Sequence, residues 1–144
     1  MVICFVGHSH VPSSDEVKRK VKEKIRSVIE GESTVEFYLG GYGAFDGICA
    51  KVCRELKNEY DFIKLVYVTP YMTLSEQEKI RDMQKFGEFD LYIYPPLEKI
   101  HPRLAIIKRN EWMVANSDLI IAYVNSDLGG AYKSFAFARR KKKR

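Results

Sequence analysis

Residues 34–53, TVEFYLGGYGAFDGICAKVC, contain the junction that decides the fold. An alternating run at 35–39 is typical of a strand, and it meets Gly40 and Gly41 directly, with Gly43 close behind. A helical pattern of apolar residues begins at once after these glycines. Many proteins hold a phosphate at such a strand–glycine–helix junction, because the first N–H groups of a helix favour an anion. The same junction also serves as a tight turn.

The same alternation of strand and helix runs through the chain. Short apolar runs are each followed by a segment with helical spacing or by a helix-opening turn, and Gly129 and Gly130 open a last helix to about residue 138. The runs lie at 1–6, 34–39, 62–68, 90–94 and 118–124. This order predicts an α/β fold, a Rossmann-like doubly wound sheet of about five parallel strands with helices on both faces. We expect residues 1–138 to form one domain and 139–144 a basic C-terminal tail.

The charge of the chain is concentrated at one end. The net charge is +5 for 144 residues, but 139–144 is a run of six cations. Without that run, the body carries 18 Lys and Arg against 19 Asp and Glu, a charge of about −1. A like-charged run is usually solvated, and this interpretation stands beside contact with a polyanion. The whole chain, tail included, has the 46% hydrophobic content of a packed globular protein.

The cysteines and histidines do not form a metal or disulfide pattern. Cys4 lies in an apolar run, and Cys49 and Cys53 lie four apart on a predicted helix, so buried reduced thiols are the favoured interpretation. His8 and His10 lack companion ligands, and no metal or cofactor is expected. No apolar run reaches the roughly 18 residues of a membrane helix, so we expect no membrane contact and a cytoplasmic protein.

Glycines and polar side chains gather after the carboxyl ends of the predicted strands. In doubly wound sheets this edge binds ligands, whereas the opposite edge carries only ordinary turn residues such as 31–33. The candidate binding residues by position are Gly7, His8, Gly40, Gly41, Gly43, Asp46, Thr69, Gly129 and Gly130. His8 is expected to hydrogen-bond a ligand or a neighbouring loop.

The glycines do not form the dinucleotide fingerprint. Gly41 and Gly43 begin like G-x-G-x-x-G, but Asp46 replaces the third glycine and the segment follows the second strand. Glycines still allow close approach of the backbone to an anion. Asp46 has two open interpretations, since its carboxylate would accept hydrogen bonds from a ribose or base, or stabilise the helix start through the dipole.

A polar group also lies on the fourth predicted helix. Arg109, Trp112, Met113 and Asn116 share one face. Arg109 is suited to a structural ion pair or cap, and equally to a phosphate at the sheet edge. Its position favours the structural role slightly.

Four motifs in chain order resemble the SLOG superfamily, Rossmann-like proteins related to the DNA-processing protein DprA and to the cytokinin-activating LOG enzymes. The motifs are FVGHSH at 5–10, GGYGAFDGICA at 40–50, RNEWMVANSDLIIAYV at 109–124 and GGAYKSFAFA at 129–138. The resemblance is greatest to the small bacterial YspA/YoqJ-type members and covers nearly the whole chain. It implies a nucleotide or nucleotide-derived ligand at the carboxyl edge.

The resemblance also implies which residues bind. The positions that match the family's motifs are Gly7, His8, Gly40, Gly41, Gly43, Phe45, Asp46, Arg109, Asn110, Gly129 and Gly130. In the hydrolytic LOG branch a Glu after the last glycine pair acts with an Arg on an N-glycosidic bond. That Glu is missing here, so only Asp46, Arg109 and Asp127 are candidate catalytic residues.

Three functions follow as hypotheses. The first is a module that binds a nucleotide-derived small molecule, and the second is a nucleotide N-glycosidase that resembles a phosphoribohydrolase. The third is DprA-like binding of single-stranded nucleic acid through the basic tail and exposed aromatics such as Tyr42 and Tyr71. The nearly neutral body places nucleic acid last on sequence grounds. The resemblance also implies a homo-oligomer.

Overall fold

The computed structural model describes residues 1–7, 14–41 and 43–123. Within them the predicted strands form in the predicted order. They are β1 (Val2–Gly7), β2 (Val35–Leu39), β3 (Ile63–Val68), β4 (Leu91–Ile93) and β5 (Leu119–Tyr123). The helices are α1 (Ser14–Ile29), α2 (Ala44–Glu59), α3 (Leu74–Lys85) and α4 (Ala105–Ala115), with a short 3-10 helix at Pro102–Leu104 before α4.

All strand pairings are parallel, and the strand order is β4-β3-β2-β1-β5. The chain adds strands outward from β1 to β4 and then returns to place β5 on the other side of β1. The order therefore reverses between β1 and β5, and ligands bind near such a point in open α/β sheets. The predicted fold class is confirmed. The helix expected from Gly129 and the tail at 139–144 lie outside the described residues.

Helices cover both faces of the sheet. On one face α1, α2 and α3 pack over a large core that includes Phe37 and Leu65. On the opposite face α4 places Met113 and Val114 against the side chains of Cys4, Val66 and their neighbours. Parallel strands are joined by right-handed crossovers, so the direction of a connection along the sheet decides which face its helix covers. The first three connections run in one direction, and the connection through α4 runs back, which places α4 on the opposite face.

The cysteines behave as the sequence indicates. All three are buried thiols that form no disulfide. Burial raises the pKa of Cys49 and Cys53 well above the ordinary value, so these thiols stay protonated and unreactive. No helix within 1–7, 14–41 and 43–123 is long and apolar enough to span a membrane.

Candidate functional site

The glycine turn after β2 requires glycine at two positions. Gly41 has φ 76° and Gly43 has φ 89°, both in the left-handed region that side chains disfavour. A Cβ on Gly41 would also lie 2.7 Å from the ring of Tyr67. Gly43 is the N-cap of α2, and as a glycine it has no side chain to cap the helix. The N-terminus of α2, with its first N–H groups, therefore follows a glycine and lies at the carboxyl edge.

Two charged side chains meet above Gly40, from opposite faces of the sheet. The position of a Cβ on Gly40 lies 3.1 Å from Cζ of Arg109 and 3.1 Å from Oδ2 of Asp46. Asp46 belongs to α2 and Arg109 to α4. The edge at Gly40 thus brings together two of the residues singled out in the sequence, and a Cβ at this position would be in tight contact with both of them.

The guanidinium of Arg109 is part of the framework of this edge. Arg109 is 1% exposed, and its Nη1 donates to the carbonyls of Gly40 and Val68, both at 2.8 Å. Its Nε donates to Oδ1 of Asn110 at 2.8 Å. These bonds join the carboxyl ends of β2 and β3, and they satisfy carbonyls that a buried strand end would otherwise leave unpaired. The structural role that the sequence left open for Arg109 is therefore real, and its positive charge is fixed at the edge.

Gly7 ends β1 in close contact with α2. A Cβ there would lie 2.2 Å from the ring of Phe45, so packing alone demands glycine at this position. Phe45 in turn stacks on Tyr123 with ring centroids 5.8 Å apart, and Tyr123 is the register partner of Gly7 on β5. The start of α2 is thus tied to β1 and β5, where the strand order reverses.

Thr69, a predicted binding residue, is fully buried in a network of polar side chains. Its Oγ1 lies 2.9 Å from Oε1 of Glu76, which also accepts a hydrogen bond from the Tyr67 hydroxyl at 2.8 Å. Glu76 itself is only 7% exposed. The network secures the start of α3 to the end of β3, directly beneath Gly41.

Glu76 and Tyr67 are site residues that the sequence reasoning missed. A signal was available, since Thr73 and Glu76 have the spacing of a capping box, and Oγ1 of Thr73 does accept from the Glu76 N–H at 3.2 Å. The Glu76 side chain turns inward instead of completing that box. Only the packing of α3 against β3 reveals the direction of this side chain, and such packing is not visible in one sequence.

The remaining predicted residues lie where the structure gives no description. His8, Asp127, Gly129 and Gly130 fall outside the described ranges. Within those ranges no three His, Cys, Asp or Glu side chains come together as a metal site. The described part of the candidate site is therefore the edge formed by Gly40, Gly41, Gly43, Asp46 and Arg109.

Comparisons with known proteins agree with this architecture. The structure is similar to DNA processing protein A from Helicobacter pylori, for which single-stranded DNA binding is described, with a TM-score of 0.66 and 16% sequence identity. The match covers 99% of this chain and 62% of that protein, so the chain spans less than two thirds of its length. No significant match to a curated protein was found. The family model of the YspA SLOG family matches residues 6–144, and the chain therefore belongs to the YspA SLOG family.

Proposed function

We propose that this protein binds single-stranded nucleic acid and takes up a nucleotide unit at the carboxyl edge of β2. The observation that carries the proposal is the convergence of Asp46 and Arg109 on Gly40, beside the two glycines with positive φ. This edge lies in a fold shared with a protein described as binding single-stranded DNA. That likeness moves nucleic acid ahead of the small-molecule hypothesis that the sequence favoured.

The edge supplies the chemistry that a nucleotide unit needs. The glycine backbone at Gly41 and Gly43 allows a phosphate to approach the first N–H groups of α2. The carboxylate of Asp46 in the first turn accepts hydrogen bonds from sugar or base donors. Arg109 fixes the edge through the Gly40 carbonyl and contributes positive charge beneath it.

Fluorescence anisotropy with a labelled single-stranded oligonucleotide tests the proposal. Asp46→Asn keeps the shape of the side chain and removes the charged acceptor, so we expect affinity to fall by about threefold or more. Asp82→Asn, on the exposed side of α3, is the matched control and leaves affinity unchanged. Absence of binding to any single strand at low salt would contradict the proposal.

The second candidate is a free nucleotide-derived ligand at the same edge. The nearly neutral body favours it, because extended strands usually bind through many cations. A nucleoside monophosphate would then raise the melting temperature and compete fully with the oligonucleotide. Asp46 and Arg109 lie close together, which also suits N-glycosidic cleavage as an activity to test. Release of free base from the same monophosphates would establish it.

A further inference from the structure

A concavity opens at the same edge of the sheet, beyond the ends of β3 and β4. It is a cleft of about 610 Å³, a size typical of small-ligand sites. One wall is the segment after β3 and the other is the segment between β4 and α4. Its lining includes Pro70, Tyr71, Met72, Tyr94, Leu97 and Ile100.

The cleft adjoins the site at Gly40. Pro70 lines it two residues after Val68, whose carbonyl accepts from Arg109. Ala105 also lines it, four residues before Arg109 on α4, so these two residues lie on one face about one helical turn, roughly 5.4 Å, apart. The cleft is therefore close to the Gly40 edge along both the end of β3 and the start of α4.

The walls are held in place by hydrogen bonds. Oγ1 of Thr69 accepts from the Tyr71 N–H at 3.2 Å, and it lies 2.9 Å from both the Tyr71 carbonyl and Oε1 of Glu76, which share its single hydroxyl hydrogen. On the other wall the N–H of Ile100 donates to the Leu97 carbonyl at 2.9 Å. The buried network at Thr69 thus positions Tyr71, and a preformed cleft loses little entropy when it binds.

The lining selects a flat, amino-bearing group. Tyr71 and Tyr94 are half-buried, so each offers part of an aromatic surface inside a mainly apolar cleft. Glu98 is the charged side chain of the lining. A carboxylate repels a phosphate, but it accepts a hydrogen bond from an exocyclic amino group such as that of cytosine.

Cations flank the cleft outside its lining. Lys99 and Arg103 are exposed, and each is next in sequence to a lining residue, Glu98 or Pro102. Cations around an apolar cleft suit a strand whose base enters while its phosphates stay in solvent.

We propose that this cleft holds an unpaired nucleobase that carries an exocyclic amino group, stacked against Tyr71 and hydrogen-bonded to Glu98. The inference rests on the proposed function, since it names the base whose nucleotide is bound at the Gly40 edge. It predicts that the protein prefers cytosine over uracil, because these bases differ at the group that Glu98 would contact.

Affinities for oligo-dC and oligo-dU of about 12 nucleotides test the proposal by anisotropy. We expect the wild type to bind oligo-dC about fivefold or more tightly than oligo-dU. Glu98→Gln should reduce this ratio to below about twofold, because an amide accepts from cytosine and donates to uracil equally well. Tyr71→Leu should weaken both affinities by about fivefold or more through lost stacking.

Two variants outside the cleft provide matched controls. Glu78→Gln on α3 repeats the charge change, and Tyr92→Leu on β4 repeats the loss of a half-exposed ring. Both should keep the wild-type ratio and affinities. Equal affinity for the two oligonucleotides, or a ratio that Glu98→Gln leaves unchanged, would overturn the cleft assignment alone. If neither oligonucleotide binds, the proposed function is overturned together with it.

Discussion

At the scale of single residues, Gly40 and Arg109 belong both to the hydrogen-bonded framework of the fold and to the candidate binding edge. The sequence placed both at the carboxyl edge, the first by its position after a strand and the second by resemblance. It left open whether Arg109 served the fold or a phosphate. The structure commits Nη1 to the carbonyls of Gly40 and Val68. One sequence cannot indicate these hydrogen bonds, because Arg109 lies 69 residues from Gly40 and 41 residues from Val68 along the chain.

Replacing Arg109 by Met should destabilise the fold strongly. Met retains much of the volume but leaves the Gly40 and Val68 carbonyls without their donor. We expect the free energy of unfolding to fall by about 2–4 kcal/mol, since each buried unsatisfied group costs about 1–3 kcal/mol. Urea denaturation measures this loss. Arg81→Met on the exposed side of α3 is the control, and an equal loss in both variants would contradict the role of Arg109.

Two glycine-to-alanine substitutions should shift stability in opposite directions. Gly7→Ala places a methyl group 2.2 Å from the buried ring of Phe45, and we expect a loss of about 1–3 kcal/mol from overpacking. Gly47→Ala lies within α2, and among the described residues nothing beyond its own helix turn comes within 4 Å of the new Cβ, so helix propensity should add up to about 1 kcal/mol. Thermal melts of both variants decide the matter, and a stable Gly7→Ala protein would disprove the contact.

At the scale of elements, the order of strands and helices is predictable because apolar runs and turn residues alternate so regularly. Contacts between elements are harder to predict. Asp90 precedes β4, where the sequence indicates only a strand start, yet its Oδ2 accepts from the Leu65 N–H at 2.8 Å and its Oδ1 pairs with Lys57 of α2. This one carboxylate joins β3, the entry to β4 and α2.

Asp90 should make stability depend on pH in the acid range. Partial burial opposes the charged form, but the hydrogen bond from Leu65 and the charge of Lys57 prevail and lower the pKa of Asp90 below its ordinary value. A lowered pKa in the folded state gives stability that is present above the unfolded pKa, about 3.9, and is lost as pH falls through the folded value.

Asp90→Asn should therefore cost about 1 kcal/mol at pH 7, and the difference from wild type should shrink below about pH 4. Chemical denaturation at several pH values measures it. Asp82→Asn on the exposed side of α3 serves as the control. A difference that stays constant down to pH 2 would show that the charge of Asp90 does not stabilise the fold.

At the scale of the whole molecule, the sequence predicts the fold class and the edge that carries the candidate site. The place of β5 beside β1 was not predictable, because strand order depends on which face each crossover covers. The meeting of Asp46 and Arg109 from opposite faces follows from that order. Resemblance named both residues, but only the three-dimensional arrangement brings them to one point above Gly40.

Amide chemical shifts in a titration with a single-stranded oligonucleotide test the central claim most directly. Glycine amides report on both the binding edge and distant turns in one spectrum. We expect the amides of Gly40, Gly41 and Gly43 to shift, while those of Gly31 and Gly87, which have positive φ in turns away from this edge, stay in place. Shifts at Gly31 or Gly87 without shifts at the three edge glycines would contradict the account.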